Sequence, residues 1–259
     1  MIEPNGHAAA SAERALGKVP ELTIGFWLIK IIATTLGETG GDAASMSLGL
    51  GYLLSTGIFM AAFLIAATIQ IRSSAFRPWV YWVTIIASTT VGTTLADFAD
   101  RSLGIGYLGG SLLLAGLLLT ALLVWHRSLG SLAVSSVTTP KAETFYWITI
   151  MLSQTLGTAL GDWTADSAAL GYDGAALIFG GLLLLLVIAY FTTHISRVLL
   201  FWLAFVLTRP LGAVLGDLLD KPLADGGLEF GRMGATACLL AIAVILILAL
   251  PQRAARAAH

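Results

Sequence analysis

Charge is scarce in this sequence. Only 11% of its 259 residues are Asp, Glu, Lys or Arg and 57% are hydrophobic, whereas roughly a quarter of a soluble domain is charged. That excludes a soluble domain of this size and marks an integral membrane protein. Cysteine is nearly absent: the lone Cys238 excludes an intrachain disulfide and a cysteine-based metal cluster, and reads as a small core residue. The four histidines do not substitute for it, since His7 and His259 lie in the tails and His126 and His194 at helix ends. The net charge of −1 comes without a basic stripe, which excludes nucleic acid as a partner. No nucleophile–base pair, phosphate loop or His-rich motif stands at usable spacing, so no enzyme is expected. Residues 1–21 are polar and lack the apolar core of a cleaved signal, which leaves targeting to the first spanning helix.

What is present is a phrase used four times: a Trp, a Gly ten positions on and an Asp fifteen positions on. Its anchors are Trp27/Gly37/Asp42, Trp82/Gly92/Asp97, Trp147/Gly157/Asp162 and Trp202/Gly212/Asp217, with steps of 55, 65 and 55 residues between tryptophans. Gly51, Gly106, Gly171 and Gly226 all stand twenty-four positions past their Trp. A span needs about 20 mostly apolar residues, and eight stretches reach that length: 22–41, 48–71, 79–97, 103–126, 144–161, 168–192, 198–216 and 233–250. The expected fold is all-α and integral to the membrane, with about eight transmembrane helices forming four helix hairpins.

Each repeat crosses twice, so the copies are parallel repeats about an axis along the membrane normal. The longer middle step suggests a 2+2 arrangement: a polar N-terminal tail over 1–21, a first half over 22–126, a linker over 127–143, a second half over 144–250 and a tail over 251–259. Nine basic residues (Arg14, Lys18, Arg72, Arg77, Arg127, Lys141, Arg197, Arg253 and Arg256) fall on the side of the termini, against Arg101, Lys221 and Arg232 on the hairpin-tip side. By the positive-inside rule both termini are expected in the cytoplasm, the chain lying in the cytoplasmic (inner) membrane. Trp27, Trp79, Trp82, Trp125, Trp147 and Trp202 fall on the same side and read as an aromatic belt at the interface.

The phrase KVPELTIGFWLIKIIATTLGETGGD, Lys18 to Asp42, with its later echoes, resembles a bacterial family of small multi-spanning proteins described only as uncharacterised membrane-anchored proteins. The resemblance covers nearly the whole chain. It implies the multi-spanning fold and no particular activity.

On the odd helices, positions +4, +8, +11, +15 and +18 from each Trp share a face. Thr35, Thr90 and Thr155 occupy +8, Glu38 occupies +11 in the first repeat, and the four Asp occupy +15. This reads as a hydroxyl ladder leading to a carboxylate. Positions +10 and +14 carry Gly37/Gly41, Gly92/Ala96, Gly157/Gly161 and Gly212/Gly216, small pairs that let helices pack closely where lipid offers no hydrophobic drive. The odd helices are therefore expected to pack together around the aspartates, with the even helices outside.

An Asp fifteen residues from the Trp lies about 22 Å into a core of about 30 Å. Acids within a membrane mark ion or proton pathways by default. Carboxylates, threonine hydroxyls and carbonyls are hard ligands that suit Mn²⁺, Ca²⁺, Mg²⁺ or alkali cations. Asp42, Asp97, Asp162 and Asp217 are thus candidate ligands for a divalent cation, with no other cofactor expected. Lys30 is expected to snorkel to the interface. Arg209, beside the helix-disturbing Pro210, needs an acidic or backbone partner, for which Glu38 or a register Asp is suited.

These features fit a secondary carrier or exchanger for a small inorganic cation, with membrane lipid and the cation as partners. They also fit a passive cation channel, or a non-transporting scaffold, sensor or assembly factor whose Asp and Gly pin the hairpin tips. A homo-oligomer is compatible with each.

Overall fold

A computed structural model describes residues 17–168 and 170–255. Among the described residues there are eight α-helices: α1 Ile24–Asp42, α2 Tyr52–Arg72, α3 Pro78–Asp97, α4 Tyr107–Leu129, α5 Pro140–Asp162, α6 Gly171–Thr192, α7 Arg197–Asp220 and α8 Arg232–Ala249. Local chemistry sets several starts. Thr23 and Thr139 accept from the backbone N–H of Phe26 and Ala142, at 3.2 Å each, and so cap α1 and α5. Pro78 and Pro140 occupy the first turn, where a missing N–H costs nothing.

Five helices, α2, α4, α6, α7 and α8, are long and apolar enough to cross a membrane. The chain is a multi-pass membrane protein. The other three, α1, α3 and α5, fall short in apolar character because their buried faces carry Thr, Ser and Gly.

Helices α1, α3, α5 and α7 pack in cyclic order into a closed inner ring. The outer helices are staggered: α2 packs on α3, α4 on α5, α6 on α7, and α8 returns to α1. The sequence suggested hairpins whose two helices pair. The principal partner of each outer helix is instead the inner helix of the next repeat, which ties every repeat to its neighbour. Their outward faces are apolar, with Leu64, Leu119, Leu184 and Leu248 all more than half exposed. That is the surface lipid requires.

Backbone pairing also joins the segment before α1 to the segment after α8. Ala255 N–H donates to Val19 at 2.9 Å and Glu21 N–H to Arg253 at 2.9 Å, so residues 17–21 are not a free tail. The 127–143 linker is also packed, with Val134 and Val137 buried.

The expected aromatic belt is corrected. Trp82, Trp125, Trp147 and Trp202 are buried, while Trp79 is 45% exposed. The buried four stack with Tyr81, Tyr146, Phe201 and Phe205 into a plug at the end of the ring that carries the termini. Ring centroids are 5.3 Å apart for Tyr81–Trp82 and 5.6 Å for Trp125–Trp202, and Tyr81 and Tyr146 share a hydroxyl hydrogen bond of 2.7 Å. Rings from all four repeats converge there and pack edge to face on one another.

At the opposite end, α1, α3 and α5 each stop at their register Asp and pass into one π-turn, Ala43–Ser47, Phe98–Ser102 and Trp163–Ser167. The recurrent glycines then turn the chain with positive φ, +73° at Gly51 and +77° at Gly106, which explains why side chains are avoided there. The fourth repeat departs from this. Helix α7 runs three residues past Asp217, and its tip is a longer turn that ends at Gly231.

Candidate functional site: a charged lumen

The ring is assembled by glycine. A methyl group added at Gly37 would overlap the Thr89 side chain, at Gly157 the stem of Arg209, and at Gly212 the Thr34 side chain, while at Gly92 it would stand 2.9 Å from the Gln154 backbone. Position +10 of each inner helix thus meets position +7 of a neighbour all the way round. One turn on, Gly41 meets Thr93, Gly161 meets Ala213 and Gly216 meets Glu38, so +14 meets +11.

Layers follow from these contacts. Thr34, Thr89, Gln154 and Arg209 form the +7 layer, all with no exposed surface. Glu38, Thr93, Thr158 and Ala213 form the +11 layer. Between them, Arg209 Nη2 lies 2.9 Å from Glu38 Oε2, 2.6 Å from Thr93 Oγ1 and 2.6 Å from Thr158 Oγ1. One guanidinium on α7 therefore touches α1, α3 and α5. Pro210 sits within α7, and its missing N–H disturbs the helix at the residue after the arginine.

Of the threonines on the expected face, those at +8 do not reach the central charge and those at +11 do. Thr35, Thr90 and Thr155 are buried but donate to carbonyls of their own helix, at Ile31 (2.9 Å), Ile86 (2.8 Å) and Met151 (3.1 Å). The hydroxyls that reach the central charge are Thr93 and Thr158. Lys30 is corrected too: it has no exposed surface and does not snorkel. Its ammonium lies 4.1 Å above the Phe205 ring, a cation–π contact.

Towards the hairpin tips the four register aspartates are buried, at 1 to 6% exposure. One carboxylate oxygen from each of Glu38, Asp162 and Asp217 lies within 4.8 Å of the others, and Asp42, Asp217 and Asp220 form a second such group. Basic side chains on the tips close over them. Lys221 is 2.9 Å from Asp42 and 3.0 Å from Asp217, Arg101 is 2.9 Å from Asp97, and Arg232 is 3.6 Å from Asp42 and 3.7 Å from Asp220. Burial alone would depress the Lys221 ammonium, but Asp217 and Asp42 together outweigh it and hold it above its ordinary value.

Six acids (Glu38, Asp42, Asp97, Asp162, Asp217, Asp220) face four bases (Arg101, Arg209, Lys221, Arg232), a formal excess of two negative charges. Both oxygen groups offer hard ligands that could hold Mn²⁺, Mg²⁺ or Ca²⁺. A groove of about 490 Å³ lies elsewhere, on the outer side of α1, α6 and α7 against Trp27, Ile31, Leu186 and Phe201, and contains none of these acids.

Sequence reasoning missed Asp220, Lys221, Arg101 and Arg232 as members of the cluster. The signal was available: Arg101, Lys221 and Arg232 are the three basic residues counted on a side rich in acids, and Asp97–Arg101 and Asp217–Lys221 stand four residues apart.

The fold and site define a class: a multi-pass membrane protein in which four repeats close a ring around buried, opposed charges. The chain belongs to the family described as Repeat of Unknown Function (DUF347), which matches it four times, over residues 25–76, 80–131, 145–196 and 200–254. No curated protein and no solved structure matches the chain.

Proposed function

We propose that this protein is a secondary carrier or exchanger of a small inorganic cation, divalent and of the Mn²⁺ class by ligand hardness. The observation that carries the reading is the buried approach of Glu38, Asp162 and Asp217 to within 4.8 Å, completed by Asp42 and Asp97. In this reading all eight helices cross the cytoplasmic membrane with both termini inside. The inner four line the path, the tip end faces outward, and the aromatic plug closes the cytoplasmic end. One 2+2 half rocks against the other. A proton on the carboxylates, or Arg209 swinging from Glu38 towards the aspartates, competes with the cation and favours its release.

The test is Mn²⁺ uptake into proteoliposomes by the wild type and by Asp162→Asn, which leaves every ion pair described above intact. Uptake that falls at least tenfold with unchanged protein amount and oligomeric state supports the carrier. Unchanged uptake overturns it.

A second reading has its own observation. Lys221 bridging Asp42 and Asp217, with Arg101 on Asp97, pins the hairpin tips as a non-transporting scaffold or sensor would require. In that case Asp42→Asn and Asp97→Asn unfold the ring without a flux to lose.

A further inference from the structure

On the terminal side of the Arg209–Glu38 pair the lumen holds a second group of polar atoms, and it is built in the opposite sense. The +3 layer consists of Lys30, Ile85, Ile150 and Phe205, none with exposed surface, and the +7 layer lies directly above it. Within these two layers Lys30 Nζ, Thr89 Oγ1, Gln154 Nε2 and Oε1, and Arg209 Nε and Nη1 are buried without a hydrogen-bond partner. Each of the four repeats contributes one of these residues. Leaving a buried polar group unpaired is destabilising. The +11 layer contrasts with this, since its two threonines and Glu38 all engage Arg209 Nη2.

The unpaired atoms define what would satisfy them. Lys30 brings up to three N–H bonds, Arg209 Nε and Nη1 three more, Gln154 two and the Thr89 hydroxyl one, against two acceptor atoms, Gln154 Oε1 and Thr89 Oγ1. The missing partner is therefore rich in lone pairs. Basicity points the same way, because Lys30 and Arg209 are both basic and the acid in contact with them is Glu38 alone, on Arg209. An anion between them would supply the counter-charge that this layer lacks. The helix seams press together at Gly37, Gly92, Gly157 and Gly212, so the space suits something small.

We propose that the ring binds a small monovalent anion, of halide, nitrate or formate size, between Lys30 and Arg209, with Gln154 and Thr89 as neutral donors. The site lies across the Arg209–Glu38 pair from the carboxylate cluster and does not depend on the cation reading. It makes the lumen bipolar, with acids at the tip end and an anion seat at the terminal end. Arg209 divides its donors between them, Nη2 on Glu38 and Nη1 towards the anion.

The test uses the detergent-purified full chain in chelator, at constant ionic strength held with sodium gluconate, titrated with chloride, bromide, nitrate or formate while thermal unfolding is followed. Saturable stabilisation by at least one small anion, absent with gluconate, is expected. Lys30→Met should abolish it and should be no less stable than the wild type in gluconate, because it removes an unpaired buried amino group. Gln154→Leu should weaken the apparent affinity several-fold. Should Lys30→Met fail to fold, Gln154→Leu and a bromide anomalous peak beside Lys30 Nζ decide. A flat response to all four anions overturns the proposal and leaves the lumen to water. A shift of equal size in Lys30→Met, or in Gln154→Leu with no bromide peak, overturns it as well.

Discussion

Arg209 on the last inner helix donates to Glu38 on the first, at 2.9 Å and with no surface exposed on the arginine. These are two of the residues that break the fourfold pattern, and they meet at the seam where the ring closes. Removing one partner leaves an uncompensated charge in the lumen, which costs about 3–5 kcal/mol. Arg209→Met and Glu38→Gln should each lower thermal stability by that order. The double variant should recover most of the loss, since replacing both members of a buried pair is often close to neutral. Additive losses in the double-variant cycle would show that the pair is not coupled.

Glycine packing makes a position-specific prediction. Gly37→Ala and Gly212→Ala place a methyl group into Thr89 and Thr34, both short and β-branched, so neither can swing clear. Each should cost about 1–3 kcal/mol by overpacking. Gly57→Ala, in the outer helix α2 with nothing within 4 Å, should instead gain up to about 1 kcal/mol from helix propensity. Unfolding midpoints of the three variants in one detergent check the sign at each site.

These contrasts show which parts of the fold could be read from residues. The four repeats, the glycine seams and the aspartates at one end were legible because they recur at fixed spacing. The lumen face was not, because Thr34–Thr35 and Thr89–Thr90 are doublets: hydroxyls occupy both +7 and +8, and only the packing of +10 on +7 decides which one faces inward. Lys30 misled for a related reason. Snorkelling is the usual course for a lysine near a helix end, and what prevents it here is a ring of tryptophans contributed by distant repeats. The staggered packing of α2, α4, α6 and α8 on the following repeat leaves no mark in any one repeat, since it depends on how the copies are arranged around the axis.

Lys221 offers a handle on the carboxylate end. It neutralises Asp42 and Asp217 together, so Lys221→Met should raise the formal excess in the cluster by one negative charge. In chelator the variant should be less stable than the wild type. On adding Mn²⁺ its unfolding midpoint should rise by more than the wild type's, because the cation replaces the lost ammonium. Lys221→Met/Asp217→Asn should remove that extra gain. An identical Mn²⁺ response in all three proteins would mean that the aspartates do not meet a cation.

The aromatic plug should govern leakage more than stability. Tyr146→Phe removes the 2.7 Å hydroxyl bond to Tyr81, a net loss of about 1 kcal/mol that leaves the rings in place. Passive cation flux through the reconstituted protein should then be unchanged. Trp202→Ala removes a ring that touches Trp125, Tyr146 and Phe205, and truncation of a buried aromatic costs about 3–5 kcal/mol. Flux should rise in this variant if it remains folded, because the plug is what separates Lys30 and the lumen from the terminal side. Tyr81→Leu gives the milder opening: it loses the hydroxyl bond and the ring contacts to Trp82 and Trp147 while keeping apolar bulk. A graded leak in the order Tyr146→Phe, Tyr81→Leu, Trp202→Ala, read by dye-loaded liposomes, places the closed gate at the aromatics. An equal, low leak in all three places it at the Arg209–Glu38 layer instead, where the guanidinium already spans the ring.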